Sequence, residues 1–145
     1  MTYLLDTDVL SAAAPPKAQA RAEWNDWLFG ASDRLYLSTI TLAEIEQGIA
    51  AAIGTGATTK AEKLRLWLAT VEQLYGERLL PFDGNVARRA GAMLDKARGH
   101  AMGFADIAIA ATAAAHGLTL LTANERHFRP LDIASLNPFT RLPPL

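Results

Sequence analysis

The stretch "ADIAIAATAAAHGLTLLTAN", residues 105–124, changes character halfway. Through His116 it is alanine, isoleucine and threonine with small residues on nearly every side, the composition of a helix packed all round, and Gly117 supplies a stop. "LTLLT", 118–122, then reads as a short apolar strand. Upstream, "RLLPF" at 78–82 is another strand, and Asp83 is placed to cap a helix that turns Val86, Ala90, Leu94 and Ala97 inward. Before it lies a helix starting near Thr59, with Leu64, Trp67, Leu68, Val71, Leu74 and Tyr75 on one stripe and Gly76 as its stop. "GTGATT", 54–59, is a flexible connection to a helix that runs from Thr41 with Leu42, Ile45, Ile49 and Ile53 in period. "LYLS" at 35–38 is a strand, "PP" at 15–16 breaks the chain before a helical stretch carrying Trp24, Trp27 and Leu28, and Tyr3 to Leu5 is the first strand. Downstream, "LDIAS" at 131–135 adds a fifth. Strands alternating with helices predict the α/β class, a parallel sheet with helices on both faces.

Composition bounds the rest. The chain has 145 residues, read as one domain over 1–145, with half its residues hydrophobic and 14 basic against 15 acidic side chains. That balance does not advertise nucleic acid, although a local patch can bind phosphate on a neutral protein. With no cysteine there is neither a disulfide nor a thiolate metal site. No signal-peptide pattern and no long apolar run occur, so a soluble, cytoplasmic protein is expected.

Parallel sheets bind ligands beyond the carboxyl ends of their strands. Asp6 falls just past the first strand, Glu44 in the first turn of the helix after the second, Asp106 at the start of the alanine-rich helix, and Thr122 and Asn124 after the fourth strand. Singly, each also has a structural role. Asp8 fits an N-cap, Asp6 a turn acceptor, Glu44 a capping box with Thr41, Asp106 a helix-dipole acid and Asn124 a turn residue. Asp106 is harder to assign that way, because from Gly103 to His116 it is the only charged residue and a charge entering a buried element needs a partner. Together, carboxylates crowded at one sheet edge repel unless a cation sits between them. The only other metal-binding side chains are the scattered His100, His116 and His127, so the ligands are hard oxygens suited to magnesium or manganese. Such an ion activates water for phosphoryl chemistry without a nucleophilic side chain.

"LLDTDVLS", "LSTITLAEIEQGI" and "FADIAIAATAAAHGLTLLTANERHF" resemble, in order and spacing, the PIN domain, and within it the VapC and FitB-like toxins of bacterial toxin–antitoxin pairs. The resemblance spans residue 3 to about 129. It implies a three-layer α/β/α sandwich with a mainly parallel central sheet and a magnesium-dependent endoribonuclease. Carried over by motif, Asp6, Glu44 and Asp106 fall on the three acidic, metal-holding positions, and Asn124 falls where many members place a fourth acid. Thr122 matches a supporting hydroxyl, with Thr7 and Asp8 beside it. The family further implies a homodimer blocked by a cognate antitoxin. Two residues depart from the pattern: Asp8 stands where asparagine is common, and Asn124 removes a charge.

Asp8 also opens a rival reading. An apolar strand followed by Asp-x-Asp fits haloacid dehalogenase phosphatases, with Asp6 as nucleophile, but "ANERHF" after the fourth strand lacks the acid pair that family needs. Asn124 opens another, a catalytically decayed module that binds RNA or antitoxin. For RNA contacts the sequence offers Arg126, His127 and Arg129 near the acids, as phosphate contacts or as solvated loop charges. Arg88, Arg89, Lys96 and Arg98 read as an outer helix face. The stripe of the helix from Thr59, with Trp24 and Trp27, reads either as core or as a groove for an antitoxin helix or a second copy.

Overall fold

The computed structural model describes residues 1–15 and 21–145. Five strands, β1 (Tyr3–Leu5), β2 (Leu35–Ser38), β3 (Leu79–Leu80), β4 (Thr119–Leu121) and β5 (Ser135–Leu136), form one sheet in the order β3-β2-β1-β4-β5 with every pair parallel. Successive strand residues point to opposite faces, and they divide accordingly. Tyr3, Leu5, Leu35, Leu37 and Leu121 enter one hydrophobic cluster, whereas Leu4, Leu80 and Leu120 enter another.

Helices α1 (Thr7–Ser11), α2 (Ala22–Gly30) and α4 (Thr58–Tyr75) cover the first face through Val9, Trp24, Leu68 and Tyr75. The second is covered by α5 (Gly84–Lys96), α6 (Phe104–Ala115) and α7 (Glu125–Phe128) through Val86, Ala90, Ile107 and Phe128. Between them α3 (Thr39–Gly54) crosses the sheet edge, giving Ile40 to the second cluster and Ile45 and Ile49 to the first. The three layers match the expected α/β/α sandwich. As expected for a helix packed all round, α6 is fully buried from Ile107 to Ala113.

Several local expectations need correction. The cap of α3 is Ser38, whose hydroxyl accepts from the Ile40 N–H at 3.0 Å, so Thr41 and Glu44 form no capping box and Glu44 lies in the second turn. Strand β3 is shorter than "RLLPF": Arg78 ends a 3-10 turn with its guanidinium donating to the Leu35 and Leu74 carbonyls, and Pro81 has no N–H to offer. The last strand starts at Ser135 rather than Leu131, because Pro130 lies in a 3-10 turn and Asp132 takes a left-handed φ of 55°. The connection "GTGATT" shrinks to residues 55–57, tied by the Ala57 N–H to the Ala52 carbonyl at 2.8 Å. Leu74, Ile53 and Leu94 leave their predicted stripes for solvent. Trp24 is core and Trp27 packs half-buried against it: their rings stack at 5.2 Å, Trp24 donates to the Val9 carbonyl and Trp27 to the Pro143 carbonyl. Pro16 lies outside the described residues.

Candidate active site

In this sheet the connection from β1 runs one way to β2 and the strand on its other side is β4, so the crevice beyond β1 and β4 is the switch point. Register delivers the first pair of residues there. Leu5 lies opposite Leu121, and the Asp6 N–H donates to the Leu121 carbonyl at 2.9 Å, which sets Asp6 beside Thr122. Asp6 is 8% exposed and both its oxygens accept. The Thr7 N–H donates to Oδ1 at 2.9 Å and the Thr122 hydroxyl to Oδ2 at 2.8 Å. Thr122 Oγ1 in turn accepts from the Asn124 N–H at 3.1 Å, fixing the loop after β4 to the end of β1.

The other two carboxylates arrive on helices. The Thr7 hydroxyl donates to Glu44 Oε1 at 2.6 Å. Since that uses its only proton, the Thr41 hydroxyl at 2.9 Å must donate to Thr7. Asp106, in the first turn of α6, pairs through Oδ2 with His127 Nε2 at 2.8 Å.

Asp6, Thr7, Asp8, Glu44, Asp106, Asn124, His127 and Phe128 line one open recess of roughly 320 Å³. The four acids and amide singled out in the sequence are therefore neighbours. Asp8 is not the N-cap; Asp6 is, and Asp8 occupies the first turn of α1 at the recess rim. Arg126 and Arg129 are exposed and stand outside the lining, and His127 faces Asp106. Arg88, Arg89, Lys96 and Arg98 are exposed as expected, with Arg98 paired to Asp95 at 3.1 Å. His127 as partner of Asp106 was the residue sequence reasoning missed. The signal was the lone carboxylate of α6, whose partner comes from α7 rather than from its own helix.

Burial raises the Asp6 carboxyl to about 7, helped by the negative charges of Asp8 and Asp106 and opposed by the Thr122 and Thr7 hydrogen bonds. Desolvation at the rim raises Asp8 as well. A recess that disfavours its own charges favours a proton or a cation. The donor set is all oxygen apart from His127, which fits a hard divalent ion. Among the described residues, however, no three Asp, Glu or His groups stand close enough to share one ion. Loading one requires Glu44 to turn from Thr7 or Asp106 from His127. A second cavity of about 590 Å³ opens beside the recess between α1, α3 and α4, sharing Thr7 and Glu44 with it and flanked by Lys60, Lys63, Leu64 and Trp67. Among the described residues no helix is long and apolar enough to cross a membrane.

The sequence model of the PIN domain matches residues 3–133. Toxin FitB of Neisseria gonorrhoeae is 35% identical over 140 residues, covering 94% of this chain and 97% of that protein. The VapC ribonuclease Y4jK of Sinorhizobium fredii is 35% identical over 141 residues, 94% of this chain and 96% of its own. Among solved structures, FitAcB from Neisseria gonorrhoeae superposes with a TM-score of 0.80 at 34% identity, covering 95% of this chain and 99% of the other.

Proposed function

This chain belongs to the PIN-domain family, among its VapC and FitB toxins, and from that membership and the recess we propose that it is a divalent-metal-dependent endoribonuclease, the toxin of a cytoplasmic toxin–antitoxin pair. The observation that carries this reading is the convergence of Asp6, Glu44, Asp106 and Asn124, from four segments, on one open recess at the switch point of the sheet. A relative named as a ribonuclease supports the choice of RNA.

In this reading Asp6, Glu44 and Asp106 hold magnesium or manganese. When bound, the ion lowers the pKa of a coordinated water and offsets charge on the leaving oxygen of the phosphodiester. The chain's own contribution is orientation. Thr122 and the Thr7 N–H hold Asp6 in one rotamer, while the Thr7 hydroxyl and His127 hold Glu44 and Asp106 in the ion-free arrangement, from which one of them turns to meet the ion. Asn124, through its carbonyl, accepts from water without adding charge. The groove between α1, α3 and α4, apolar along Ile45, Leu64 and Trp67 and cationic at Lys60 and Lys63, suits an antitoxin segment with apolar anchors and acidic side chains. Because it shares Glu44 with the recess, its occupant covers the site. A homodimer of a single 1–145 PIN domain completes the proposal. The phosphatase alternative falls with the family match, since Ala123 and Asn124 follow β4 where an acid pair is needed.

The test is cleavage of end-labelled RNA by antitoxin-free protein in magnesium or manganese, with EDTA and Asp106→Asn alongside. Cleavage lost in both controls is expected. Cleavage that survives EDTA overturns metal dependence, and a wild type inert on diverse RNAs but still binding them supports the decayed module.

A further inference from the structure

Helix α6 is sealed in the second cluster from Ile107 to Ala113, yet its first residue, Phe104, is 55% exposed. An aromatic ring left in water two residues before one of the recess acids forgoes the burial that Phe128, 2% exposed, obtains in the same layer. The ring is not loose. It meets Phe82 edge-on, centroids 5.7 Å apart and planes at 62°, and Phe82 is half-buried against the second cluster with its N–H donating to Thr39 Oγ1 at 3.3 Å. Phe104 is therefore braced at the carboxyl edge of the sheet, in the same helical turn as Asp106 and two residues before it.

Charge bears on what covers it. Asp6, Asp8, Glu44 and Asp106 repel the phosphates of any RNA that approaches the recess, so a strand held there needs anchoring that does not depend on its own charge near the acids and cations farther out. Arg88 supplies such a cation. Its guanidinium folds back over the first turn of α5, with Nη1 3.6 Å from where a side chain on Gly84 would begin, and that helix starts two residues after Phe82.

We propose that Phe104, braced by Phe82, is a stacking platform for one base of single-stranded RNA whose scissile phosphate lies in the acidic recess, and that Arg88 contacts a phosphate flanking that base. The inference rests on the ribonuclease reading and adds to it a base subsite. Stacking uses a π face that every base has, so the subsite tolerates any sequence and favours unpaired over duplex RNA.

The experiment measures binding of a fluorescein-labelled single-stranded RNA, and of the same strand carrying one 2-aminopurine, to the full chain made cleavage-deficient by Asp106→Asn, with cleavage by the wild-type chain run in parallel. Phe104→Ala is expected to weaken binding about 5- to 150-fold, the worth of one stacked base. Phe104→Trp should restore it, Phe104→Leu should not, and 2-aminopurine quenching should follow the same order at unchanged thermal midpoints. Arg88→Ala should lower the slope of log affinity against log salt by about 0.7, one phosphate on a single strand. If the wild type cleaves RNA and Phe104→Ala binds as its parent does, the platform is overturned and the ribonuclease stands. Recovery by leucine, or an altered sedimentation coefficient with unchanged RNA affinity, makes Phe104 a plain apolar or protein contact and overturns it too. A parent that binds no RNA and a wild type that cleaves none overturn both.

Discussion

Asp6 and Asp106 reach the same recess by different routes. Asp6 ends a central strand, is 8% exposed, and has a donor on each oxygen, one from the turn that follows it and one from Thr122 across the sheet. Asp106 stands on the first turn of a helix, its side chain 34% exposed, with His127 from a short helix after β4 as its partner. A carboxylate set by strand register has no freedom and bears the burial and like-charge cost of its place, which is why its proton affinity rises so far. One held by a half-exposed side chain can be turned at little cost. The contrast divides the recess into a fixed wall and an adjustable one.

The sharpest way to break that contrast is Asp6→Asn. It should reduce cleavage about 10³-fold or more, in line with the several kcal/mol a metal supplies, while the metal-free protein melts at the same or a higher temperature at pH 8 because a repelled charge is gone. Unfolding of that variant would make Asp6 a structural residue. Next in size is Thr122→Val, which removes a buried donor from Asp6 and an acceptor from the Asn124 N–H. Urea unfolding should show a loss of about 1–3 kcal/mol.

The pH dependence follows from sign. With its folded pKa raised from 3.8 to about 7, Asp6 binds its proton more tightly in the folded state, so stability falls as pH rises between those values. Metal-free protein should melt higher at pH 5 than at pH 8, by about 2–4 °C for each kcal/mol, and Asp6→Asn should flatten that slope. Magnesium added at pH 8 should raise the midpoint in the proton's place. The smallest effect belongs to His127→Ala, under about 1 kcal/mol in the same urea titration, since the pair it breaks is partly solvated. A loss as large as that of Thr122→Val would erase the distinction between the two walls.

How much of this was legible in the sequence depends on range. Helix α6 and β4 were readable because an all-small apolar run ended by Gly117 permits few other structures. Asp6, Glu44, Asp106 and Asn124 could be gathered because each lies just past a strand or in the early turns of a helix at the same sheet edge. What failed was set by competing local caps, by single backbone angles or by neighbours distant in the chain. The cap of α3 moved three residues because Ser38 reached the Ile40 N–H first. The fifth strand moved because Asp132 adopted a left-handed turn. Of the two readings left open for the tryptophans the core one holds, and what the sequence did not show is that Val9 and Pro143 offer carbonyls to their indole N–H groups. His127 was read as facing RNA, since nothing in a one-dimensional pattern says that α7 folds back onto α6.

The hydrogen bond between Thr122 and Asp6 joins residues 116 positions apart. A ribosome delivers Asp6 well before Thr122, and β1 sits between two strands, β2 and β4, of which the second follows it by more than a hundred residues. Until that strand is made, the fixed wall of the recess has neither its central neighbour nor its hydroxyl, and contacts of such separation are slow to close. The growing chain therefore carries the acids without the site they build, and the recess assembles only once β4 and Thr122 have been made.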